Sequence, residues 1–456
     1  MDADSLRHFE KPELIALVVT LAEQNRLLRE QVARLEARVA ELEARLGPPK
    51  TPHNSSLPPS SAHKANAPER SKKPRKGRPG TARALLETPD QVREVHAQAC
   101  QGCGAALTEA DQPEVAHAYD HIDLPPIKPI TTRVVLYAGN CRCCGARVKA
   151  TPPADMAPGS PFGPGIVALV VYLHARQMVS FARIAEILEA LFGLKVSQGA
   201  IANMLARAAK PFAAEATLIA AEVRQAKVVH SDETSARVGG RTWWQWVFGS
   251  TRAVLHRIEP SRGAKVVEEF LQGSRPEVWV SDRYGAQAGH GERQQACLAH
   301  LLRDCQYAID CGDTLFAPAM KHTLKRVCEI VREREALSDA ELAHWKCELE
   351  TRILCFLAQP SDTEAGRKLQ EAIRRWRKEL LVCLERRDVA ATNNVSERAL
   401  RPSVIFRKVS GGFRSAWGAE VYADIASVIA TARLAGLCAL TAIRDTLAGK
   451  SILTPA

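Results

Sequence analysis

The sequence predicts a multidomain protein with an α/β core that carries a helical insertion, preceded by a coiled coil, a zinc-ribbon-like module and a helical domain. Three observations lead to this prediction: leucines recur every seventh residue near the N terminus, cysteines occur in two close pairs, and two aspartates follow short apolar runs rich in β-branched residues. A chain of 456 residues with 46% hydrophobic content is long enough for several folded domains.

The predicted domains follow one another along the chain, with boundaries at changes in composition. They are a coiled coil (1–46), a basic flexible linker (47–85), a zinc-binding module (86–155), a helical domain with helix-turn-helix character (156–225), the first part of the α/β core (226–304), a helical insertion (305–388), the last part of the core (389–415) and a C-terminal helical region (416–456).

The leucine repeat predicts a coiled coil. Its heptad positions are occupied by Leu14, Leu21, Leu28, Leu35 and Leu42, with Val18, Asn25, Val32, Val39 and Leu46 four residues after each. Leucine at d, valine at a and one polar a position favour a parallel two-stranded coil, because the two copies of Asn25 pair only in register. We therefore predict a homodimer or higher oligomer through this segment. The alternative is a single amphipathic helix packed on its own domain.

The net charge of +11 favours a polyanionic partner. Part of the excess lies in the linker, whose basic run contains Lys72, Lys73, Arg75, Lys76 and Arg78. Such a run can neutralise phosphates without reading bases. A merely solvated linker explains it equally well on sequence alone.

The two cysteine pairs have the spacing of a structural zinc site. Cys100 and Cys103 form one Cys-x-x-Cys motif, and Cys141 and Cys144 form the other. Each motif allows two thiolates to bind one tetrahedral Zn²⁺, and four thiolates leave no coordination position for chemistry. The additional Cys143 leaves open which cysteine is the second ligand of the second motif, and the repeated spacing favours Cys144.

The region after the cysteines is strongly helical in pattern, with candidate helices at 166–173, 181–192 and 197–208. The last two resemble a helix-turn-helix, with a turn at Gly193 and Ser197 as N-cap of the second helix. DNA recognition by Gln198 and Asn203 would follow from that interpretation. Helix pairs joined by a glycine turn are also common in ordinary α domains.

Three acidic residues predict a divalent-metal site for phosphoryl transfer. Asp232 and Asp282 each follow an apolar run that we interpret as a buried strand ending at the acid, and Glu397 lies in a segment that we predict to be one or two helical turns ending before Pro402. Oxygen ligands suit Mg²⁺, and two such ions can activate an attacking oxygen and stabilise a leaving one. A chain with 51 acidic residues also offers such triplets by chance.

The order of elements strengthens this interpretation. After Asp232 the sequence predicts strands at 242–250 and 253–259, a helix at 264–271 and a strand that ends at Asp282. Strand, strand, strand, helix, strand is the order of an RNase H-like α/β core. The first two carboxylates of such a core lie on adjacent central strands.

Several sequence frames together resemble the bacterial insertion sequence 66 family of DDE transposases, over nearly the whole chain. They are residues 51–61, the paired cysteine motifs, 230–234, 281–284, 297–304 and 393–398. The resemblance implies that Asp232, Asp282 and Glu397 are the catalytic metal ligands, with two Mg²⁺ or Mn²⁺ ions. It also implies a zinc finger that helps to hold DNA, and a reaction in which strands are cut at the element's terminal inverted repeats and joined to target DNA. Small accessory proteins of the element are further expected partners.

Two other functions fit parts of the sequence. A non-catalytic DNA-binding or architectural protein would explain the coiled coil, linker and zinc module, but not the three acidic frames. A metal-dependent nuclease that only hydrolyses would share the catalytic site and differ in not joining strands. The sequence has no signal peptide and no membrane-spanning run, so we expect a bacterial cytoplasmic protein that is associated with the nucleoid when it binds DNA.

Basic and polar residues beside the acidic frames are candidate DNA contacts, although exposed arginines often only solvate a surface. These candidates are Arg283, His300, Arg303, Arg398, Arg401, Arg407 and Lys408. The spacing of Cys297 and His300 also fits half a zinc site, but the sequence places no second half nearby. Trp244 and Trp246 lie on one face of a predicted strand, which favours core packing over base stacking.

Overall fold

The fold is seen in a computed structural model of the chain. It describes residues 10–46, 48–55, 83–125, 127–156 and 158–453, so the basic run of the linker lies outside the described residues. Contacts divide the described residues into two units. The first comprises those within 1–67, 134–186 and 195–456, and the second those within 68–133 and 187–194. No helix in the described ranges has the length and apolar character needed to cross a membrane.

The N-terminal helix α1 spans Lys11–Leu46 without interruption. Apolar side chains along it are exposed; Val18 is 63% exposed and Leu35 is 65% exposed. An exposed apolar stripe on a long helix favours burial against another helix. The pairing of α1 with a second copy stays a prediction, because the structure contains one chain. After α1, residues 51–55 form a turn in which Asn54 is only 4% exposed. The Asn54 side chain accepts the N–H of Thr51 and donates to Asp310 at 2.8 Å.

Short elements follow in the cysteine region. Strands β1 (Ala138–Asn140) and β2 (Arg147–Lys149) form an antiparallel pair whose residues are all exposed. The second cysteine motif, Cys141 to Cys144, lies between the two strands of this hairpin. With so little apolar burial, its stability requires a further constraint, such as a metal ion.

The next region is helical, as the pattern predicts. Helix α2 spans Pro164–Val171 and continues as a π-helical turn, α3 spans Phe181–Phe192 and α4 spans Gln198–Arg224. Ser197 caps α4 by accepting the N–H of Ala200 at 3.1 Å. The predicted end of this helix at residue 208 is wrong, because α4 runs on through Pro211. Phe212, Ile219 and Val223 are fully buried on its second half, and this packing offsets the loss of one backbone hydrogen bond.

Five strands form the central sheet, in the order β5-β4-β3-β6-β7. They are β3 (Val228–Val238), β4 (Arg241–Gly249), β5 (Val254–Glu259), β6 (Val278–Ser281) and β7 (Arg293–Ala296). The hairpin strands β3, β4 and β5 are antiparallel, whereas β6 and β7 run parallel to β3. Helix α5 (Lys265–Leu271) connects the two sets. Strand β7 was not predicted, since its polar residues 293–295 give no apolar run.

One strand boundary differs from the prediction in a way that matters for the site. Strand β6 ends at Ser281, directly before Asp282, as predicted, but β3 does not end at Asp232. It continues for six residues to Val238 and pairs throughout with β4. The tight turn at Gly239 and Gly240, both at positive φ, closes this hairpin and keeps the second half of β3 in register.

Alternate residues of β3 face opposite sides of the sheet. On one side Val228, Val278 and Val280 join a large apolar core with the helices that follow β7. On the other side Trp246, Phe248 and Phe270 stack against one another, and Trp246 is fully buried, as the predicted core role requires. We call the side of Val228 and Val280 the helical side and the side of Trp246 and Phe270 the α5 side.

The helices on the helical side include the predicted insertion. They are α6 (Leu298–Asp310), α7 (Phe316–Glu333), α8 (Asp339–Ala358), α9 (Glu364–Arg375) and the short α10 (Val382–Glu385). The chain then returns to the sheet, where the N–H of Leu298 donates to the carbonyl of Ala391 at 3.0 Å. This contact brings the residues before Glu397 to the start of α6.

The last helices are α11 (Asn394–Ser410), α12 (Ala416–Leu434) and α13 (Ala439–Leu447). The prediction that the Glu397 helix ends before Pro402 is wrong, because α11 continues to Ser410 and includes the candidate DNA contacts Arg407 and Lys408. Leu400 and Phe406 are buried on either side of Pro402, so packing carries the helix through it. Gly411 and Gly412 then end α11 at positive φ. A Cβ at Gly412 would lie 2.6 Å from the carbonyl oxygen of Arg237.

Candidate active site

Asp232 and Asp282 lie at the same level of two neighbouring parallel strands. The pairing of β3 with β6 puts His230 opposite Val280. Two residues further along, the same register brings Asp232 level with Asp282 and on the same side of the sheet, the helical side. Asp282 is held there by the N–H of Tyr284, which donates to its Oδ1 at 2.9 Å.

The electrostatics join these aspartates and Glu397 into one cluster. Burial raises the pKa of Asp232 well above its usual range, and repulsion from Glu233, Asp282 and Glu397 raises it further. Burial also raises the pKa of Asp282. Carboxylates that disfavour each other's charge in a buried place are typical of a site that a cation completes.

Glu397 reaches this cluster from the first turn of α11, and Asn393 fixes that turn. Asn393 is fully buried; its side-chain amide donates to the carbonyl of Ser231 at 2.7 Å, one residue before Asp232. Its backbone N–H donates to Cys297 Sγ at 3.1 Å, and its carbonyl accepts the N–H of Glu397. A single buried residue therefore ties the helix of Glu397 to β3 and to α6.

The predicted basic contacts fall into two groups. Arg283 forms an ion pair with Asp304 on α6, and Arg303 lies 3.9 Å from Glu397. Arg407 donates to the hydroxyl of Ser235 at 3.1 Å. By contrast Arg398, Arg401 and Lys408 are exposed along α11. The first group contacts the protein around the carboxylates, and the second leaves its charges open to a ligand.

Sequence reasoning did not identify a role for Glu233, the residue after Asp232. It points to the α5 side, where its side chain is 1% exposed. Arg262 donates to Glu233 Oε1 at 2.7 Å, and Gln287 donates to Oε2 at 2.7 Å. The Arg262 guanidinium also lies over the rings of Trp244 and Tyr284, at 4.4 and 4.0 Å from their centroids. The sequence signal was the acidic pair itself, but both partners lie far along the chain.

The neighbours of Cys297 and His300 correct another prediction. The sequence placed no second half of a metal site near them, but Glu397 lies there. The donor atoms of Cys297, His300 and Glu397 lie within 4.8 Å of one another. Burial, with repulsion from Arg303 and Arg283, lowers the pKa of His300 to about 4. His300 Nδ1 is buried without a hydrogen-bond partner in the described part of the chain.

The two cysteine motifs have the same local geometry, each within its own unit. In the first motif the N–H of Cys100 donates to the carbonyl of Ala105, and the N–H of Gly104 donates to the carbonyl of Cys100. In the second motif the N–H of Cys141 donates to the carbonyl of Ala146, and the N–H of Gly145 donates to the carbonyl of Cys141. Gly104 and Gly145 have matching φ values of +75° and +73°. Each motif is therefore a tight turn in which the first sulfur faces backbone N–H groups.

The N–H groups around the first sulfur match between the two motifs. Those of Cys103 and Gly102 lower the pKa of Cys100, and those of Cys144 and Cys143 lower the pKa of Cys141. A lowered pKa favours the thiolate that zinc requires. The correspondence pairs Cys103 with Cys144, the residue directly before the positive-φ glycine in each motif.

The predicted DNA-reading residues of the helical region are accessible. Gln198 and Asn203 are exposed on the first turns of α4. Accessibility is necessary for base contacts but does not distinguish them from ordinary surface residues.

Comparisons with known proteins complete this description. A family model described as "Transposase IS66 family" matches residues 159–421, which contain all three carboxylates. A model for a family of unknown function (DUF6444) matches residues 3–85. The chain is 28% identical over 424 residues to the uncharacterized protein y4qI of Sinorhizobium fredii (strain NBRC 101917 / NGR234), an alignment that covers 83% of this chain and 75% of that protein.

Proposed function

The chain belongs to the IS66 family of transposases, and we propose that it cuts DNA at the ends of its insertion element and joins the freed ends to target DNA. In this proposal Asp232, Asp282 and Glu397 are the catalytic carboxylates. The observation that carries it is their convergence: two lie level on adjacent strands, and all three contribute to one half-buried cluster of negative charge. The strand order of the sheet is the order expected of an RNase H-like core.

The donor set fits Mg²⁺ or Mn²⁺. The proposed ligands are carboxylate oxygens, which these hard cations prefer. Burial raises the pKa of Asp232 and of Asp282, and a divalent ion bound between them would favour their charged forms. Bound metal ions would supply activation of the attacking oxygen and stabilisation of the leaving one.

The chain's own residues supply positioning. Asn393 fixes the helix turn that carries Glu397, and the N–H of Tyr284 orients Asp282. Rigid placement of this kind matters because much of the rate enhancement in phosphoryl transfer comes from holding reacting groups in line. Arg398, Arg401 and Lys408, exposed along the same helix, are proposed to bind the phosphates of the element's end.

Two further parts of the proposal concern assembly. The matched cysteine turns support one structural zinc ion held by Cys100, Cys103, Cys141 and Cys144. The exposed apolar side chains of α1 support a parallel coiled coil between two copies of the chain. A dimer would present two active sites, one for each end of the element.

The test is a cleavage and joining assay with purified protein, Mg²⁺ and labelled DNA that carries the element's end. We expect wild-type protein to cut and join, and Asp232→Asn to lose at least about 10³-fold in rate while it binds the DNA normally. Asp424→Asn is a matched control, since Asp424 is a part-buried acid with a raised pKa on α12, outside the cluster.

Cleavage by Asp232→Asn at the wild-type rate would refute the assignment of the site. Cutting without joining would instead leave the site in place and favour a hydrolytic nuclease.

A further inference from the structure

Cys297, His300 and Glu397 bring a sulfur, a nitrogen and an oxygen donor within 4.8 Å of one another at the start of α6. We propose that these three side chains form a second metal site, selective for Zn²⁺ over Mg²⁺, that shares Glu397 with the catalytic cluster. Binding of zinc here is independent of the proposed function. Its effect on catalysis rests on that function.

The donor types decide which metal this site takes. Thiolate and imidazole are ligands of zinc and poor ligands of magnesium, which prefers oxygen and retains its waters. Ligand distances of about 2.0–2.3 Å around tetrahedral zinc place donor atoms about 3.3–3.6 Å apart. The three donors are within about 1.5 Å of that spacing, which side-chain rotation can close. Three protein ligands leave the fourth position for water.

The surroundings hold two of the three ligands in place. Cys297 is the N-cap residue of α6, is fully buried, and its Sγ accepts the N–H of Asn393 at 3.1 Å. Glu397 is fixed one turn into α11 by the same Asn393. The Asn393 contact thus positions the cysteine and the carboxylate together.

His300 provides the independent sign of a missing ligand. Its Nδ1 is buried and makes no hydrogen bond to any described residue, although buried ring nitrogens normally have a partner. A metal ion between Cys297 and Glu397 would give the imidazole the partner that it lacks.

The opposing effect is the positive charge nearby. Arg303 lies 3.9 Å from Glu397, at the far limit of an ion pair, and Arg283 is already paired with Asp304. Burial raises the pKa of the Cys297 thiol to about 11, so zinc binding must release the thiol proton to solvent. The resulting thiolate and the carboxylate carry two negative charges, which match the two positive charges of zinc. Zinc would therefore displace only the loose contact of Arg303.

A shared carboxylate has a direct consequence. A carboxylate of Glu397 that turns toward zinc is drawn away from the catalytic cluster with Asp232 and Asp282. Zinc should therefore inhibit Mg²⁺-dependent cleavage by competition.

The binding test is a count of zinc ions per chain after dialysis of the full-length protein against a small excess of Zn²⁺. We expect Cys297→Ser to hold one ion fewer than wild type. Cys438→Ser is the matched control, because Cys438 is also a helix N-cap cysteine but belongs to no group of three metal-ligating side chains in the described residues. The measured quantity is the difference in zinc ions per chain between variant and wild type. An ion bound by the four-cysteine module contributes equally to both and cancels.

His300→Gln is a second variant and should lose the same ion, which guards against misfolding of Cys297→Ser. Equal zinc counts in wild type and in folded His300→Gln would overturn the site. In the cleavage assay, Zn²⁺ should inhibit wild type at concentrations at least tenfold lower than those needed for Cys297→Ser. If Cys297→Ser loses the zinc ion but Zn²⁺ inhibits it and wild type at equal concentrations, the binding site stands and the competition is overturned. If neither protein cleaves DNA, the proposed function alone is refuted.

Discussion

Two consecutive residues of one strand, Asp232 and Glu233, have opposite environments on the two sides of the sheet. Glu233 is buried on the α5 side with its own cation, Arg262, and an amide donor, Gln287. Asp232 lies on the helical side, where burial raises its pKa and repulsion from Glu233, Asp282 and Glu397 raises it further. On the α5 side, which we call the complete side, the chain itself supplies a cation to the buried acid. On the helical side, the incomplete side, Asp232 has no cationic partner among the described residues, and we propose that a metal ion supplies the missing charge. Burial raises the pKa of Glu233 as well, so the two acids differ in whether the chain supplies a cationic partner. We use that difference to separate a structural acid from a candidate ligand.

The largest stability effect is expected from breaking the complete side. Arg262→Ala should lower the free energy of unfolding by about 2–3 kcal/mol, because it leaves Glu233 buried with only Gln287 as donor. Adding Glu233→Gln to this variant should restore part of the loss, since the uncompensated charge is then gone. Denaturant unfolding of the two single variants and the double variant measures the coupling. Strict additivity of the two changes would contradict the pairing.

A smaller effect should follow from loosening the connection that aims Glu397. Asn393→Ala removes the donor to Ser231 and the side chain that fills a buried position, at a cost of about 1–3 kcal/mol. Loss of this contact should displace the first turn of α11 and Glu397 with it. The fold decrease in kcat should therefore exceed the fold increase in KM. Asn394→Ala is the control, since Asn394 is the exposed neighbour in the same motif. A variant with reduced stability but unchanged kcat would show that Asn393 only supports the fold.

The smallest effect is a gain of stability on the incomplete side. The folded pKa of Asp232 lies above its unfolded value, so the folded chain retains the proton longer and stability falls as pH rises from the ordinary aspartate range through the folded pKa. In buffer without divalent cations, Asp232→Asn should be more stable than wild type at pH 8, because the asparagine carries no charge at the buried position. At pH 4 the difference should nearly vanish.

Magnesium distinguishes this effect from burial alone. Mg²⁺ should raise the melting temperature of wild type and not of Asp232→Asn, because only the wild-type cluster binds it. Asp424→Asn should also gain stability at pH 8, since burial and repulsion from Glu420 raise the pKa of Asp424 to about 7. It should keep the full response to Mg²⁺. An Mg²⁺ response in Asp232→Asn equal to that of wild type would remove Asp232 from the ligand set.

Sequence patterns predicted local features well and distant contacts poorly. The bounds of α3, the cap at Ser197 and the strand that ends before Asp282 depend on residues a few positions apart, and all are found. The continuation of β3 past Asp232 depends on pairing with β4, which an apolar run does not encode. Pro402 was interpreted as a stop because the burial that carries α11 through it comes from other elements.

The site shows the same division. The three carboxylates were predicted because each stands in a distinctive frame, and the structure brings them close enough to raise the pKa of Asp232. The partners of Glu233, by contrast, come from 29 and 54 residues further on, and the third neighbour of Cys297 and His300 is about a hundred residues away. Nothing in a short window identifies such partners, because the sheet and the helical insertion alone bring them together.

The buried turn after α1 sets a length scale for any assembly of two chains. Asn54 fastens residues 51–55 to Asp310, and Lys50 lies 5.6 Å from the ring of Tyr307; both contacts are on α6, the helix that carries His300 and Arg303. The chain from Leu46 to Thr51 can extend over at most about 17 Å. In the proposed dimer joined along α1, each α6 helix would therefore lie within a short distance of the end of the coiled coil. The spacing between the two proposed DNA cuts would then depend on this anchor and not on the length of the basic linker that follows it.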